Sequence, residues 1–353
     1  MTRVLWRAST QQKTKSNLFK YENYLKNKYN YSPNGTYSNL LKWSIKNSED
    51  FWSSIWDYAD VKGKKNLNTT LSKELYKSKF LNKSKLNFAE NILRKQDKDK
   101  AITFVSENGY REIKTWIELY RSVSKIVKFF QDSQIKTNDR VVGYMPNIIE
   151  TVECFLASSA IGAIWSSCSP DFGVNGVVER FSQIKPKILI ICDRYYYNGK
   201  EINVINRLPK ILSKIKSIKK VIIVNYPGKE LLNCKKYRSV KIFKWNVIKK
   251  LNSSTIYFKK FDFNKELVIL FSSGTTGKPK CICHRAGGVL LQHLKEHILQ
   301  CEIKPKDNVF YFTTCGWMMW NWLVSVLASK AKIILYEGSP FSPKKDTLLN
   351  LIK

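Results

Sequence analysis

The sequence has 353 residues, 43% of them hydrophobic and 13% aromatic, which is enough for a large core and more than one lobe and excludes disorder over most of its length. The formal net charge is +33, because 50 lysines and 11 arginines outnumber 28 acidic residues. The lysines are scattered beside Asn, Ser and Ile, which argues against a protein that recognises specific nucleic-acid sequences. Weak electrostatic attraction to polyanions stays open. No run is long enough to span a membrane and the N-terminus lacks the apolar segment of a signal peptide, so we expect a cytoplasmic protein.

The first part of the chain contains two predicted helices. Residues 1–37 are polar and aromatic without clear periodicity, and we interpret them as an N-terminal extension. A helix is predicted to begin near Ser48, which can cap it, and Trp52 and Trp56 share one of its faces. A second helical piece is predicted at residues 86–93.

From residue 101 onwards, short apolar runs alternate with amphipathic segments. The predicted strands cover residues 141–145, 163–167, 187–192, 221–224, 266–270, 310–314 and 333–336. The predicted helices cover residues 148–161, 177–184, 205–218, 287–300, 322–329 and 346–353. This alternation predicts an α/β fold in which parallel sheets are flanked by helices.

The predicted strand at residues 266–270 runs into the segment Phe-Ser-Ser-Gly-Thr-Thr-Gly-Lys-Pro-Lys at residues 271–280. Glycines let the backbone approach a phosphate, hydroxyls add donors, and lysines add positive charge. The spacing is not that of a Walker P-loop, because two residues rather than four separate the glycines. A hydroxyl-rich surface turn is the alternative. The predicted contacts to a polyphosphate are Ser272, Ser273, Gly274, Thr275, Thr276, Gly277, Lys278 and Lys280.

Two short strings resemble metal sites. Cys281-Ile-Cys-His284 could suggest zinc, but two cysteines two residues apart also fall on one face of a strand. His293-Leu-Lys-Glu-His297 matches the inverted zinc-protease pattern, which a packed or solvated helix face also produces. The eight cysteines show no disulfide framework, so we expect a reduced protein without a metal site.

The loop at residues 271–280 resembles the phosphate loop of the acyl-adenylate-forming enzymes, the AMP-dependent synthetase/ligase superfamily. Further segments, from about Ser38 to the last residue, resemble the acetoacetyl-CoA synthetases more than the acetyl-CoA synthetases. These segments are residues 143–147 (Gly-Tyr-Met-Pro-Asn), 162–173, 180–187, 197–200 (Tyr-Asn-Gly-Lys) and 316–321 (Gly-Trp-Met-Met-Trp-Asn).

The resemblance implies a domain organisation. Residues 38–95 would form the N-terminal cap of this branch, and residues 96–353 an incomplete synthetase/ligase domain. The fold would be the large N-terminal domain of the adenylate-forming enzymes, truncated. By the same resemblance, we expect the mobile C-terminal domain and the catalytic residues to lie beyond Lys353. We therefore expect residues 1–353 alone to make no acyl-CoA.

The resemblance also implies a two-step reaction. A carboxylate, acetoacetate, attacks the α-phosphate of ATP to give acyl-AMP and pyrophosphate, and the thiol of CoA then displaces AMP. Mg²⁺ is expected to bridge the phosphates. By the same analogy, Trp317, Met318 and Met319 would line the acyl pocket, and the activity would belong to lipid metabolism. The resemblance also implies that Asn198, Gly199 and Lys200, in the segment 197–200, contact CoA.

Two other functions remain open from the sequence. The chain could belong to a ligase for another short or branched acid. It could also be a non-catalytic binder of nucleotides or other polyanions, in which case salt-sensitive binding without a preference for ATP is expected. The sequence does not indicate the oligomeric state.

Overall fold

Two β-sheets with parallel strands at their centres organise the chain. A computed structural model describes residues 5–235, 237, 240–272 and 277–352. The helices are α1 Thr10–Lys15, α2 Asn17–Tyr29, α3 Tyr37–Lys46, α4 Ser48–Tyr58, α5 Phe88–Ile92, α6 Trp116–Asp132, α7 Ile149–Ala160, α8 Val174–Ile184, α9 Leu208–Lys214, α10 Trp245–Lys249, α11 Ala286–Lys295, α12 Met318–Ser325 and α13 Thr347–Ile352.

The strands follow the same order along the chain. They are β1 Gly63–Lys64, β2 Asn68–Thr70, β3 Lys79–Asn82, β4 Lys85–Leu86, β5 Lys100–Ser106, β6 Arg111–Thr115, β7 Arg140–Tyr144, β8 Ile164–Cys168, β9 Ile188–Cys192, β10 Arg194–Tyr197, β11 Lys200–Asn203, β12 Lys220–Val224, β13 Lys241–Lys244, β14 Phe261–Asp262, β15 Glu266–Ser272, β16 Lys280–Arg285, β17 Asn308–Phe310 and β18 Lys332–Glu337.

The main sheet has the strand order β13-β12-β9-β7-β8-β15-β16. All neighbouring pairs are parallel except β15 and β16, which form an antiparallel hairpin. Every residue of β8 and β9 is buried, as expected for strands covered by helices on both faces. The predicted α/β class with parallel sheets flanked by helices is confirmed.

The second sheet has the strand order β17-β18-β5-β6. Its three strands β17, β18 and β5 are parallel, and β6 returns antiparallel to β5. Helix α6 begins with a capping box. The Thr115 hydroxyl accepts a hydrogen bond from the backbone N–H of Glu118, and the Glu118 carboxylate accepts one from the backbone N–H of Thr115. Helix α7 packs between β8 of the main sheet and α12, since the ring of Phe155 lies 6.3 Å from that of Trp165 in β8 and 5.7 Å from that of Trp320 in α12.

Residues 1–37, for which the sequence showed no periodicity, contain two helices. Ser9 caps α1 and Ser16 caps α2 through their side-chain oxygens. In α2, Tyr21 and Leu25 are fully buried and the Tyr21 hydroxyl bonds to Ser54 at 2.6 Å. Only two residues of α2 are buried, which explains why its apolar face left little trace in the sequence.

Several predicted boundaries were wrong. Asn47, not Ser48, is the N-cap of α4. The strand predicted at 310–314 ends at Phe310, because the following residues bond to the main sheet instead. The helix predicted at 205–218 is a 3-10 turn followed by α9, with Pro209 in its first turn.

The helix predicted at 287–300 is α11 followed by one π-helical turn, Glu296–Gln300. The helical piece predicted at 86–93 is shorter, because Leu86 belongs to β4 and Asn87 caps α5. No helix in the described part of the chain combines the length and apolar character needed to cross a membrane.

Candidate functional site

The candidate site lies where loops leave the C-terminal ends of the parallel strands in the main sheet. Strands β9, β7, β8 and β15 run in one direction, so the loops that follow them leave the same edge. In open α/β sheets this is the edge at which ligands bind. The predicted phosphate loop follows β15, and the hairpin of β10 and β11 follows β9. Both predicted binding segments therefore start from the ligand-binding edge.

The phosphate loop closes the hairpin between β15 and β16. Ser272, the last residue of β15, is the register partner of Lys280, the first residue of β16. Residues 273–276 lie outside the described residues, so the roles of Ser273, Gly274, Thr275 and Thr276 stay predictions. Gly277 has a φ of +103°, and a Cβ placed on it would meet no described atom within 4 Å. Its requirement for glycine therefore comes from backbone conformation rather than from crowding.

The charged end of this loop faces solvent. The side chains of Lys278 and Lys280 are exposed. No carboxylate of the described residues forms an ion pair with either lysine. Gln183 in α8 donates a 2.9 Å hydrogen bond to the carbonyl oxygen of Pro279, which fixes the exit of the loop. The arrangement leaves two cationic side chains available to an anion.

The segment 316–321 arrives at the same edge from the second sheet. The Ser167 hydroxyl donates a 2.6 Å hydrogen bond to the carbonyl of Cys315, and the Cys315 thiol donates one of 2.8 Å to the carbonyl of Met145. Ser167 lies near the C-terminal end of strand β8, and Met145 directly follows β7. These bonds hold the start of the segment against the C-terminal ends of two strands of the main sheet.

The three predicted acyl-pocket residues stand at the beginning of α12. Trp317 is the N-cap residue, and Met318 and Met319 are the first two residues of the helix. Trp317 is 65% exposed and Met318 is 45% exposed, while Met319 is half-buried. Two of these three apolar side chains are therefore exposed to solvent at the beginning of α12, and their role in an acyl pocket stays a prediction.

Asn147 is a site residue whose importance sequence reasoning missed. Its side-chain oxygen accepts a 2.9 Å hydrogen bond from the indole of the buried Trp320. Its amide nitrogen donates to the carbonyls of Thr313 and Tyr336, both at 3.3 Å. Asn147 stood within one of the segments that carried the family resemblance, but a single Asn after a strand gives no signal of these contacts.

Glu337, the last residue of β18, is a buried carboxyl group at this edge. Its pKa is raised to about 8, mainly by burial and in smaller part by the nearby carboxylates of Asp171 and Glu107, although the backbone N–H of Asn147 donates to it at 2.6 Å and opposes the shift. At neutral pH Glu337 is therefore mostly protonated. A neutral side chain here keeps one negative charge away from an edge that would receive anionic substrates.

The turn predicted to approach CoA is the tip of the β10–β11 hairpin. Tyr197 and Lys200 are register partners, so Asn198 and Gly199 form a two-residue loop. Asn198 has a φ of 52° and Gly199 a φ of 75°, which is the pattern of a type I′ turn. Lys200 is exposed. The Asn-Gly pair explains the tight turn, and the lysine beside it offers a cation at its tip.

The Cys281-Ile-Cys-His284 string forms part of β16. Cys281 and Cys283 are exposed and, being two residues apart, share one face of the strand. The Cys281 thiol donates to the side-chain oxygen of Gln183 at 3.6 Å. Within the described ranges, no group of three His, Cys, Asp or Glu side chains is arranged to hold a metal ion.

The His293-Leu-Lys-Glu-His297 string lies on α11 and the π-helical turn, against α12. His293 Nδ1 lies 2.9 Å from the Ser325 hydroxyl, and the Glu296 carboxylate accepts a 2.9 Å bond from the indole N–H of Trp322. The pKa of His293 is lowered to about 4 and that of His297 to about 3, in each case mainly by burial and in smaller part by another histidine nearby. Both histidines are therefore neutral side chains packed inside the fold.

Comparisons with known proteins agree with this architecture. The AMP-binding enzyme family matches residues 88–353. Acetoacetyl-CoA synthetase from Gallus gallus is 40% identical over 325 residues, which are 90% of this chain and 49% of the relative. Acetoacetyl-coenzyme A synthetase from Rhizobium meliloti is 40% identical over 315 residues, which are 89% of this chain and 48% of the relative.

A relative that is named for another activity is also similar. Malonamoyl-CoA synthetase from Penicillium aethiopicum is 35% identical over 351 residues, which are 96% of this chain and 48% of the relative. The chain therefore spans about half the length of the curated relatives it matches.

A solved structure has the same fold. Acetoacetyl-CoA synthetase from Streptomyces lividans superposes with a TM-score of 0.90 and 30% sequence identity, covering 98% of this chain and 53% of that protein. The family match covers most of the chain and includes the phosphate loop, the hairpin and the segment 316–321. The chain belongs to the family of AMP-binding enzymes.

Proposed function

We propose that the protein containing this chain activates acetoacetate to acetoacetyl-CoA. In the first step the acetoacetate carboxylate attacks the α-phosphate of ATP, which forms acyl-AMP and releases pyrophosphate. In the second step the thiol of CoA attacks the acyl carbon, which forms the thioester and releases AMP. Relatives named acetoacetyl-CoA synthetase, together with the Gly-Trp-Met-Met-Trp-Asn segment at the ligand-binding edge, support this reaction.

In this proposal the phosphate loop holds the β- and γ-phosphates of ATP. The exposed Lys278 and Lys280 supply charge that stabilises the departing pyrophosphate. The other proposed contacts are Ser272, Ser273, Gly274, Thr275, Thr276 and Gly277. Bound Mg²⁺ would neutralise phosphate charge, and the residues described here fit a cation held by phosphate oxygens rather than by a protein cage.

The acyl group and CoA would contact two other segments at the same edge. Trp317, Met318 and Met319 would contact the acetoacetyl group. The turn of Asn198, Gly199 and Lys200 would contact CoA, because an exposed lysine beside a tight turn suits a phosphate-bearing ligand. The cysteines are all free, which suits a reducing compartment, so we infer that the reaction takes place in the cytoplasm.

One arrangement carries this proposal. The phosphate loop and the segment 316–321 come from different sheets, yet both lie at the C-terminal edge of the main sheet through the bonds of Cys315 to Ser167 and Met145. A cradle for pyrophosphate and an accessible apolar surface on one edge are what the attack of a small carboxylate on ATP requires.

The test is product formation by the protein expressed from its complete gene. With ATP, Mg²⁺, CoA and acetoacetate, we expect equal amounts of AMP and acetoacetyl-CoA, identified by mass spectrometry. Omission of acetoacetate should abolish AMP release. AMP formation that does not depend on any carboxylic acid would contradict the proposal.

A second acid is a specific alternative, because the similar Penicillium aethiopicum protein is named malonamoyl-CoA synthetase. Acetoacetate and malonamate both carry a carbonyl group two carbons from the carboxylate carbon. This carbonyl bears a methyl group in acetoacetate and an NH2 group in malonamate. Assays with acetoacetate, malonamate, acetate and butyrate separate these possibilities. A preference of at least about tenfold for malonamate, equivalent to roughly 1.4 kcal/mol, would replace acetoacetate as the assigned substrate.

A further inference from the structure

We propose that Glu107 is a positioning residue that fixes the tip of the β10–β11 hairpin for contact with CoA, a proposal that rests on the function proposed above. The Glu107 carboxylate accepts hydrogen bonds from the backbone N–H of Asn198 at 3.0 Å and of Gly199 at 2.9 Å. These are the two loop residues of the turn. Glu107 is separated from them by 91 and 92 positions in sequence, so the contact joins distant parts of the chain.

The carboxylate is itself held from the second sheet. Glu107 follows β5, and its backbone N–H donates a 3.0 Å bond to the carbonyl of Glu337 at the end of β18. The backbone N–H of Ser339 donates to the Glu107 carboxylate at 2.6 Å. Glu107 is only 6% exposed, so its carboxylate is largely shielded from competing water. Three backbone donors from two segments therefore converge on one buried anion.

Gly338 shows how closely the chain segments after β5 and β18 approach each other at this point. Its φ is +134°, and a Cβ placed on it would lie 2.5 Å from the Cβ of Glu107. A side chain at position 338 would have to displace Glu107. The chain therefore has glycine where the loop after β18 passes directly over the carboxylate.

The tip of the hairpin has few other anchors. Arg194 and Glu201 form an ion pair at 3.0 Å near the base of the hairpin, while at the tip Tyr197 is 47% exposed and Lys200 is exposed. Among the described residues, the hydrogen bonds from the tip's two N–H groups go to Glu107. Loss of this carboxylate should therefore release the tip without unpairing the strands beneath it.

Fixing the tip would affect one substrate more than the others. The phosphate loop and the segment 316–321 are anchored by separate contacts, through Pro279 and Cys315. The adenylation step should therefore tolerate a mobile hairpin. Binding of CoA, whose phosphate groups would meet Lys200, should weaken because the lysine would no longer be held at one place.

The first experiment tests the contact itself. In Glu107→Gln an amide group replaces one acceptor oxygen, so at least one of the three N–H donors loses its partner. We expect amide hydrogen exchange in peptides covering residues 196–203 to accelerate by about tenfold or more, while exchange in β9 and β15 stays unchanged. The matched control is Glu49→Gln, an exposed residue of α4. Unchanged exchange at the tip in Glu107→Gln would overturn the proposal.

The second experiment measures the complete protein in two assays. We expect Glu107→Gln to raise the KM for CoA by about tenfold or more, with acetoacetate-dependent exchange of pyrophosphate into ATP within about twofold of the parent. Glu107→Asp, which keeps the charge, should recover part of the loss. Equal losses in both assays would mean that Glu107 serves folding only. If the parent protein exchanges no pyrophosphate into ATP with any acid, the proposed function fails. The amide hydrogen exchange measurement still shows whether Glu107 holds the tip of the hairpin.

Discussion

The indole N–H of Trp320 donates a 2.9 Å hydrogen bond to the side-chain oxygen of Asn147. Both side chains are almost completely buried, and the same Asn147 amide donates to the carbonyls of Thr313 and Tyr336. One side chain therefore joins the end of β7, the segment before α12 and the end of β18. This amide sets where the proposed acyl-pocket residues stand relative to the main sheet.

Replacement of Asn147 by Leu should destabilise the fold, because it leaves the Trp320 N–H and two carbonyl groups without partners. We expect the free energy of unfolding to fall by about 2–4 kcal/mol, since each buried unpaired group costs about 1–3 kcal/mol and relaxation recovers part of the total. Urea unfolding measures this change. Asn252→Leu, at an exposed position, is the control and should stay within about 0.5 kcal/mol. Equal stability of the two variants would show that the Asn147 network contributes little.

Gly277→Ala should impair binding of ATP through backbone conformation. Its φ of +103° is one that residues with a Cβ rarely adopt, and strain of this kind costs on the order of 1–3 kcal/mol. We therefore expect the affinity for ATP to fall by about tenfold or more in Gly277→Ala. Gly277→Val should lose a similar amount, because no described atom lies close enough to the Cβ for side-chain size to matter. Gly288→Ala, in α11 with open space around it, is the control. Full ATP affinity in Gly277→Ala would remove this residue from the proposed site.

Met318→Ala and Met319→Ala should change the ranking of acids. Methionine is flexible and apolar, so truncation alters the shape of a pocket that receives a small acyl chain. We expect the ratio of kcat/KM for acetoacetate to that for butyrate to shift by about threefold to tenfold, which corresponds to one or two buried methyl groups. Met318→Leu keeps the volume and should keep the ranking. A uniform loss for all acids would place these residues outside the pocket.

Glu337 should make stability fall as pH rises. Its pKa is about 8 in the folded chain, above the unfolded value near 4.5, so the folded state binds more protons between these values. The contribution of Glu337 to stability is therefore complete below the unfolded pKa and falls by up to about 1.4 kcal/mol per pH unit as pH rises toward 8. Glu150, whose pKa burial also raises to about 8, should act in the same direction.

Urea unfolding at pH 5, 6.5 and 8 measures this dependence. In Glu337→Gln the side chain cannot ionise but can still accept the bond from the Asn147 N–H, so its contribution to the slope should disappear. Glu150 contributes to the remaining slope in the same direction as Glu337, whereas His293 and His297, whose pKa values are lowered in the fold, contribute in the opposite direction below about pH 6.5. If Glu337→Gln shows the same pH dependence as the parent, Glu337 does not titrate as its burial indicates.

Much of the fold follows from local patterns. Strands β8 and β9 are buried along their whole length, and the short length of these runs and the residues that bound them identify them as strands. The phosphate loop was recognisable because glycines, hydroxyls and lysines lie together in the chain. Helix α2 was missed because it buries only Tyr21 and Leu25, which is too narrow a face to produce a clear periodicity.

The contacts that connect the site could not be predicted in the same way. Glu107 meets Asn198 across 91 positions, and Asn147 meets Trp320 across 173. A lone Glu or Asn after a strand gives no local signal, because its partners are backbone groups whose position depends on the packing of two sheets. The predicted strand at 310–314 failed for the same reason, since Cys315 bonds to the other sheet.

The most direct measurement of the central claim is exchange of labelled pyrophosphate into ATP, with Mg²⁺ and without CoA, by the protein expressed from its complete gene. This exchange reports acyl-adenylate formation alone, so it tests whether the phosphate loop and the segment 316–321 serve one reaction. We expect exchange that requires a carboxylic acid and is faster with acetoacetate than with acetate or butyrate. Absence of exchange with every short-chain acid, in a folded protein that binds ATP, would contradict the account.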